Sequence, residues 1–282
     1  MDRSNCWLIT RAFVNTSSTS METTEIYKTL EAQYFGPDMD ERDEIELLPS
    51  LLRGSRIFVD VGASLGQYAH FAGKSIEGGR IVAVEADPMR FARLKELAAE
   101  WEKASAGNRY EVVHAAAADK PGRMDFFVTD QALSGALWPH HVPDEKLRNS
   151  LNWSKTSVDV VTLDQLFPND DPGVVKIDVE GAEYRVIQGA IGLLKRGKTR
   201  FLVEVHPWGD EVLKKMPEDL FNLFAEYGYD FSRTHRHWHF EKKGTAVSRW
   251  VKNRAIVFVW KNTWLKDFLK KLILKFGPSA RR

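Results

Sequence analysis

The side chains best suited to chemistry stand in or just after short apolar runs. Asp60 lies in Ile57-Phe58-Val59-Asp60-Val61, and Glu85 follows Ile81-Val82-Ala83-Val84. Asp178 and Glu180 follow Val174-Val175-Lys176-Ile177, and Glu204 and His206 lie in Arg200-Phe201-Leu202-Val203-Glu204-Val205-His206. Ionised carboxylates accept hydrogen bonds from hydroxyls, and an imidazole titrates near neutral pH, which suits a general base. Glu204 stands in an otherwise apolar run, where a lone carboxylate is costly without a partner. Proton transfer and the gripping of hydroxyl-bearing ligands are therefore the chemistry on offer.

These residues need a frame. Each apolar run reads as a buried strand of a sheet covered on both faces. Val61 leads into Gly62-Ala63-Ser64-Leu65-Gly66, and Gln67 to Ser75 can start a helix. A strand, a tight turn and a helix N-terminus aim free backbone N–H groups at a small polar or anionic ligand. Gly62 and Gly66 supply the backbone angles and the room for close approach. A P-loop needs four residues between its glycines and then Lys-Ser/Thr; here three intervene and Gln67 follows. A dinucleotide fingerprint needs G-x-G-x-x-G, and Ala63 and Ser64 occupy the intervening positions. An acid near the strand end followed by G-x-x-x-G fits an S-adenosylmethionine site instead. Glu85 lies 19 residues past Gly66, where an acid at the second strand's tip reaches vicinal ribose hydroxyls.

The rest of the chain alternates helix and strand. Ile26, Leu30 and Tyr34 predict a helix that Gly36-Pro37 breaks, and 43–52 predicts a second, ended by Gly54. This pair reads as a lid over the cofactor edge or as packing decoration. Helix 89–103 follows Pro88, and Tyr110 to His114 is a third strand leading into Ala115-Ala116-Ala117-Ala118-Asp119. Small residues there leave space for a flat adenine, and Asp119 can accept from its amino group; His114 reads as structural. Residues 124–128 and 157–161 are strands, and the long stretch between them, with Ser134-Gly135-Ala136, Trp138, His140, His141 and Trp153, reads as substrate-facing.

After the strand carrying Lys176, a helix runs through Tyr184, Val186, Ile187, Leu193 and Leu194. Ligands of an open parallel sheet bind beyond the carboxyl ends of its strands, which points Asp178 toward the ground that Gly62 and Glu85 define. Glu183 reads as helix N-terminal capping and dipole compensation. Pro217 opens a helix to Tyr227, and Gly228-Tyr229 and Ala255-Ile256-Val257-Phe258-Val259-Trp260 read as the closing strands. Between them, alternation puts His235, His237 and His239 on one strand face: a metal or acidic-ligand feature, or a solvated edge strand.

Composition sets the outer limits. The 282 residues suit one domain with extensions, and the formal net charge of +1 gives no basic field for nucleic acid. A single cysteine, Cys6, excludes an internal disulfide framework and a cysteine zinc site, and a reducing, cytoplasmic setting fits. No apolar run nears the ~20 residues of a transmembrane helix. The organisation predicted is a flexible tail over 1–20, a helical lid over 21–54, a main domain over 55–261 and a basic helix over 262–282. Met21 is an alternative functional start. In the last segment Trp264, Leu265, Phe268, Leu269, Leu272, Ile273 and Phe276 recur at helical spacing, with seven basic residues over 261–282 against Asp267 alone. Such a helix can lie on an anionic membrane, or dock on the domain or a second subunit.

Taken in order, VDVGASLGQYAHFA, VAVEADP, HAAAADKPG, VDVVTLDQL, VVKIDVEGAEYRVIQGA and LVEVHP resemble the FkbM-family methyltransferases. The resemblance runs from Ile57 to Pro207; Ala63-Ser64 departs from the more usual Ala-Asn. It implies an α/β class I methyltransferase fold, a Rossmann-like seven-stranded sheet with helices on both faces. It also implies S-adenosylmethionine as donor and O-methylation of a hydroxyl on a sugar, glycan or secondary metabolite. By the resemblance, Asp60, Gly62, Ala63, Ser64, Gly66 and Tyr68 form the methionine end of the cofactor site. Glu85 and Ala86 take the ribose side, Ala118 and Asp119 the adenine side, and Asp178 borders the cofactor. An alcohol is a poor nucleophile unless its proton is removed, so Asp178 and His206 are the candidate bases, with Glu180 and Glu204 as orienters. Asp178 can alternatively bind a divalent metal that acidifies the hydroxyl. A nicotinamide oxidoreductase and a non-catalytic cofactor-binding scaffold are the alternatives; the missing third glycine disfavours the first, Asp178 and Glu180 the second.

Overall fold

The computed structural model describes residues 34–35, 41–129, 153–206, 210, 213–215, 217–234 and 236–242. The predicted helix before Tyr34, the stretch holding Trp138, His140 and His141, His235, the strand from Ala255 to Trp260 and both tails lie outside these residues. Along the chain come α1 (Arg42–Ile45), α2 (Leu48–Leu51), β1 (Ile57–Val61), α3 (Gln67–Ser75), β2 (Arg80–Glu85), α4 (Pro88–Ala104), β3 (Arg109–His114), β4 (Ala116–Ala117), β5 (Gly122–Thr129) and β6 (Trp153–Val161). Then follow α5 (Leu163–Leu166), β7 (Val174–Ile177), α6 (Glu183–Gln188), α7 (Ile191–Arg196), β8 (Arg200–Glu204), α8 (Pro217–Glu226), β9 (Asp230–Arg233) and β10 (His237–Glu241).

Seven strands form one sheet in the order β3-β2-β1-β7-β8-β10-β9. The first five run parallel, and β10 is antiparallel to both neighbours. This is the seven-stranded α/β sheet that the sequence predicts. Strand alternation divides its side chains between two layers. Phe58, Ile81, Ala83 and Leu202 pack with Ile45, Leu48, Ala69 and Leu94 of α1 to α4. Val59, Val82, Val175, Phe201 and Val203 pack with Val186, Leu193 and Phe224 of the later helices. Burying each such side chain contributes about 1.5–3 kcal/mol, which is what fixes the register. A second sheet, β4-β6-β5, lies between β3 and β7 in sequence. Among the described residues no helix is long and apolar enough to cross a membrane.

Several boundaries differ from expectation. Segment 43–52 forms two single-turn helices that bury Ile45, Leu48 and Leu52, so packing is part of what it does. The helix after Glu183 breaks at Gly189, where a Cβ would come within 2.1 Å of the Ala118 carbonyl oxygen. The strand predicted over 157–161 begins at Trp153.

Among the described residues the sheet closes with β9 and β10, and β9 begins at Asp230 rather than at Gly228-Tyr229; the strand predicted over 255–260 lies outside these residues. The histidine-bearing stretch is thus an interior strand between β8 and β9, not a solvated edge. Its alternate residues explain this. Trp238 and Phe240 pack on α8 through Phe221 and Phe224, with Phe224 stacked on Phe240 at 3.8 Å between ring centroids.

Candidate active site

The parallel strands end at one edge, and the alternation that fills the α1–α4 layer changes character there. Positions 58, 81, 174 and 202 of that layer are apolar; continuing by twos reaches Asp60, Glu85, Lys176, Asp178, Glu204 and His206. Ile177 pairs with Val203, so Asp178 and Glu204 follow as lateral neighbours at adjacent strand tips. Asp178 N–H continues the ladder to the Val61 carbonyl at 3.0 Å.

The glycine turn closes tightly. Gly62, Ser64 and Gly66 have φ of 72°, 52° and 79°, the left-handed region where a side chain is strained. A Cβ on Gly62 would fall 1.8 Å from the Asp178 carbonyl oxygen. Glycine therefore lets the turn rest against the acid-bearing stretch. The turn's N–H groups are used within the protein, contrary to expectation: Gly62 and Ala63 donate to the Val84 carbonyl, and Gly66 donates to that of Ala63. Ser64 N–H donates to Glu85 Oε2 at 2.6 Å, and Asp87 N–H donates to Glu85 Oε1 at 2.7 Å. Glu85 is thus a clamp between the turn and the head of α4. Burial raises its proton affinity, while the Arg90 guanidinium opposes that shift.

Asp60 lies under the turn rather than on its face. It is fully buried, accepts from Ala69 N–H at 3.1 Å, and has Lys176 Nζ 3.5 Å from its Oδ1. Tyr68 is also buried, donates to Glu41 Oε2 at 2.7 Å, and carries Lys176 Nζ 4.8 Å above its ring. Lys176 also lies 3.6 Å from Asp178 Oδ2. Burial opposes its charge, but Asp60 and Asp178 outweigh burial and raise its proton affinity. Removing one member of a buried ion pair costs about 3–5 kcal/mol, so Lys176→Met should lose about that much in chemical denaturation. A loss below about 1 kcal/mol would mean that Lys176 carries no such burden.

Asp178, Glu180 and His206 converge: one ligating atom from each lies within 4.8 Å of the others. His206 Nε2 is 3.3 Å from Glu180 Oε2 and 3.9 Å from Asp178 Oδ1, while Nδ1 is 2.8 Å from Glu183 Oε1. Burial lowers the His206 proton affinity, but Glu183, Glu180 and Asp178 outweigh it and lift it well above the ordinary value. Its Nδ1 is thus held by Glu183, and its Nε2 faces Glu180 and Asp178. Asp178 is acidified: burial opposes its charge, but Lys176 and His206 prevail. Burial and then Asp178 push Glu204 up to about 7, the value a general base needs.

Several participants escaped the sequence reading. Glu183 does begin α6 and accepts from Gly181 N–H, yet it is buried and holds His206. Lys176, a lone cation in an apolar strand, was detectable by the cost of burying it. Arg90 sits in the first turn of α4, where a cation opposes the helix dipole. It is buried, and its Nη1 donates to Ser64 Oγ at 2.7 Å, with Tyr34 Oη 3.4 Å from the same oxygen. Elsewhere, Ala86 and Ala118 join one apolar cluster with Phe126 and Val160. Asp119 Oδ1 lies 4.0 Å from Arg185, which also binds buried Asp210. His237 is fully buried beside Tyr68, with Glu44 Oε1 3.9 Å from its Nδ1, and pairs with Glu204 across β10 and β8.

A family model described as the methyltransferase FkbM domain matches residues 60–231. Among solved structures, the chain is similar to methyltransferase FkbM from Methylobacillus flagellatus, with 17% identity over 74% of this chain and 47% of that one and a TM-score of 0.45. The chain thus spans about half the length of that protein. It is similar also to the SAH-bound methyltransferase PaMTH1 of Podospora anserina, with 10% identity over 86% and 98% of the two chains and a TM-score of 0.41. A methyltransferase from Geobacter sulfurreducens shows 12% identity over 82% and 94%, at a TM-score of 0.42. No curated protein matches the chain.

Proposed function

We infer that this chain, which belongs to the FkbM methyltransferase family, is an S-adenosylmethionine-dependent O-methyltransferase acting on a hydroxyl of a sugar, glycan or secondary metabolite. The observation that carries this reading is the contact of Gly62 with Asp178, which sets a cofactor-type turn directly against a carboxylate-rich strand edge. When bound, S-adenosylmethionine supplies an activated sulfonium methyl group for transfer to oxygen. The residues present fit it. Glu85 keeps lone pairs on both oxygens for ribose hydroxyls, and the Ala86–Ala118 cluster beside it offers a flat apolar wall to adenine. Asp60, Tyr68 and Lys176 brace the turn from beneath.

The donor is already activated, so the protein chiefly aligns the acceptor and removes its proton. Glu204 accepts the hydrogen bond of the reacting hydroxyl, while Glu180 and ionised Asp178 grip the acceptor's neighbouring hydroxyls. The base role passes to Glu204, the lateral neighbour of Asp178 that ionises near neutrality. With donor and acceptor bound, Glu204 would take the hydroxyl proton, and S-adenosylmethionine would supply the methyl group to the oxygen. Glu204 must be ionised to act, so turnover should rise as pH rises through about 7. In Glu204→Gln turnover should drop by about 10²-fold or more and the rising limb vanish. A retained limb in that variant would take Glu204 out of the proton path.

A further inference from the structure

We propose that Asp178, Glu180 and His206 form a binding site for one divalent cation of the magnesium–manganese class, placed where the acceptor hydroxyl arrives. The donor set is two carboxylates and one imidazole, with ligating atoms within 4.8 Å of one another. Hard to borderline cations that prefer six ligands accept such a set and leave positions open for substrate oxygen and water. Three further features point to a cation. Asp178 divides its oxygens: Oδ2 faces Lys176, whereas Oδ1, on the His206 side, is buried without a hydrogen-bond partner among the described residues. His206 is buried and fixed through Nδ1 by Glu183, which is itself buried, and so presents Nε2 to Asp178 and Glu180. A buried carboxylate behind a ligating histidine is the usual outer support of a metal site. Finally, the ladder bond of Asp178 N–H to the Val61 carbonyl holds the cluster to the strand that leads into the glycine turn.

The role rests on the transferase reading. A cation there lowers the proton affinity of a coordinated hydroxyl, and it favours acceptors with a second oxygen beside the reacting one. Vicinal diols of sugars have that form.

The test titrates the purified full-length chain with manganese(II), followed by electron paramagnetic resonance, without donor or acceptor. One saturable manganese per chain is expected, displaced by excess magnesium. The double variant Asp178→Asn/Glu180→Gln should weaken it at least tenfold, with circular dichroism and S-adenosylhomocysteine affinity retained. If the double variant misfolds, Glu180→Gln alone is read the same way, since that side chain is one-third exposed. No saturable binding by the native chain, or native binding by the folded variant, overturns the site. S-adenosylhomocysteine binding is scored separately, so a failed metal site and a failed transferase reading give different results.

Discussion

Asp178→Asn should lower turnover by about 10²-fold while changing S-adenosylhomocysteine affinity by less than about threefold. The asymmetry follows from where Asp178 points. Its carbonyl oxygen touches Gly62, but its carboxylate faces Lys176 on one side and His206 on the other, toward the acceptor ground. Asparagine keeps the shape and the backbone contact with the turn, so the cofactor cradle survives. It loses the charge that grips the hydroxyl, and a misplaced acceptor alone can cost about 10²-fold in rate. Steady-state kinetics beside calorimetric titration checks both halves. Unchanged turnover removes Asp178 from the mechanism; equal loss of affinity makes it a cofactor ligand only.

Glu85→Ala should show the opposite pattern, with S-adenosylhomocysteine binding weakened by about 10²-fold. A hydrogen bond to a charged group contributes about 1.5–3 kcal/mol, so losing two predicted ribose contacts reaches that range. The structure adds a reason for a large effect. The same carboxylate holds Ser64 N–H and Asp87 N–H, so its loss also frees the turn that forms the other wall of the cradle. Glu85→Gln keeps one carbonyl acceptor and should fall between the two. Calorimetry gives the affinities, and native affinity in Glu85→Ala would place the ribose elsewhere.

The two predictions draw on parts of the molecule that were unequally legible in sequence. Asp60, Gly62, Glu85, Asp178, Glu180, Glu204 and His206 were visible because buried strands make long apolar runs, and a polar residue at the end of one stands out. The interior place of β10 was missed for the same reason, because that strand hides Trp238 and Phe240 among charged residues and histidines. Pairwise electrostatics were out of reach altogether. His206 reads as a neutral-pH base on its own, and only the approach of Glu183, Glu180 and Asp178 shows that its proton affinity is raised. Glu204 reads as an orienter until burial beside Asp178 brings it to about 7. Nothing in the sequence singled out Arg90, yet it is buried against Ser64.

The central claim is that the turn at Gly62 and the carboxylate of Glu85 hold an S-adenosyl cofactor. Calorimetric titration of the purified chain with S-adenosylhomocysteine, with NAD in parallel, tests it most directly. Micromolar binding of S-adenosylhomocysteine, lost in Glu85→Ala, with no heat from NAD, is the expected result. Binding of NAD in place of S-adenosylhomocysteine would contradict the account and make the site that of an oxidoreductase.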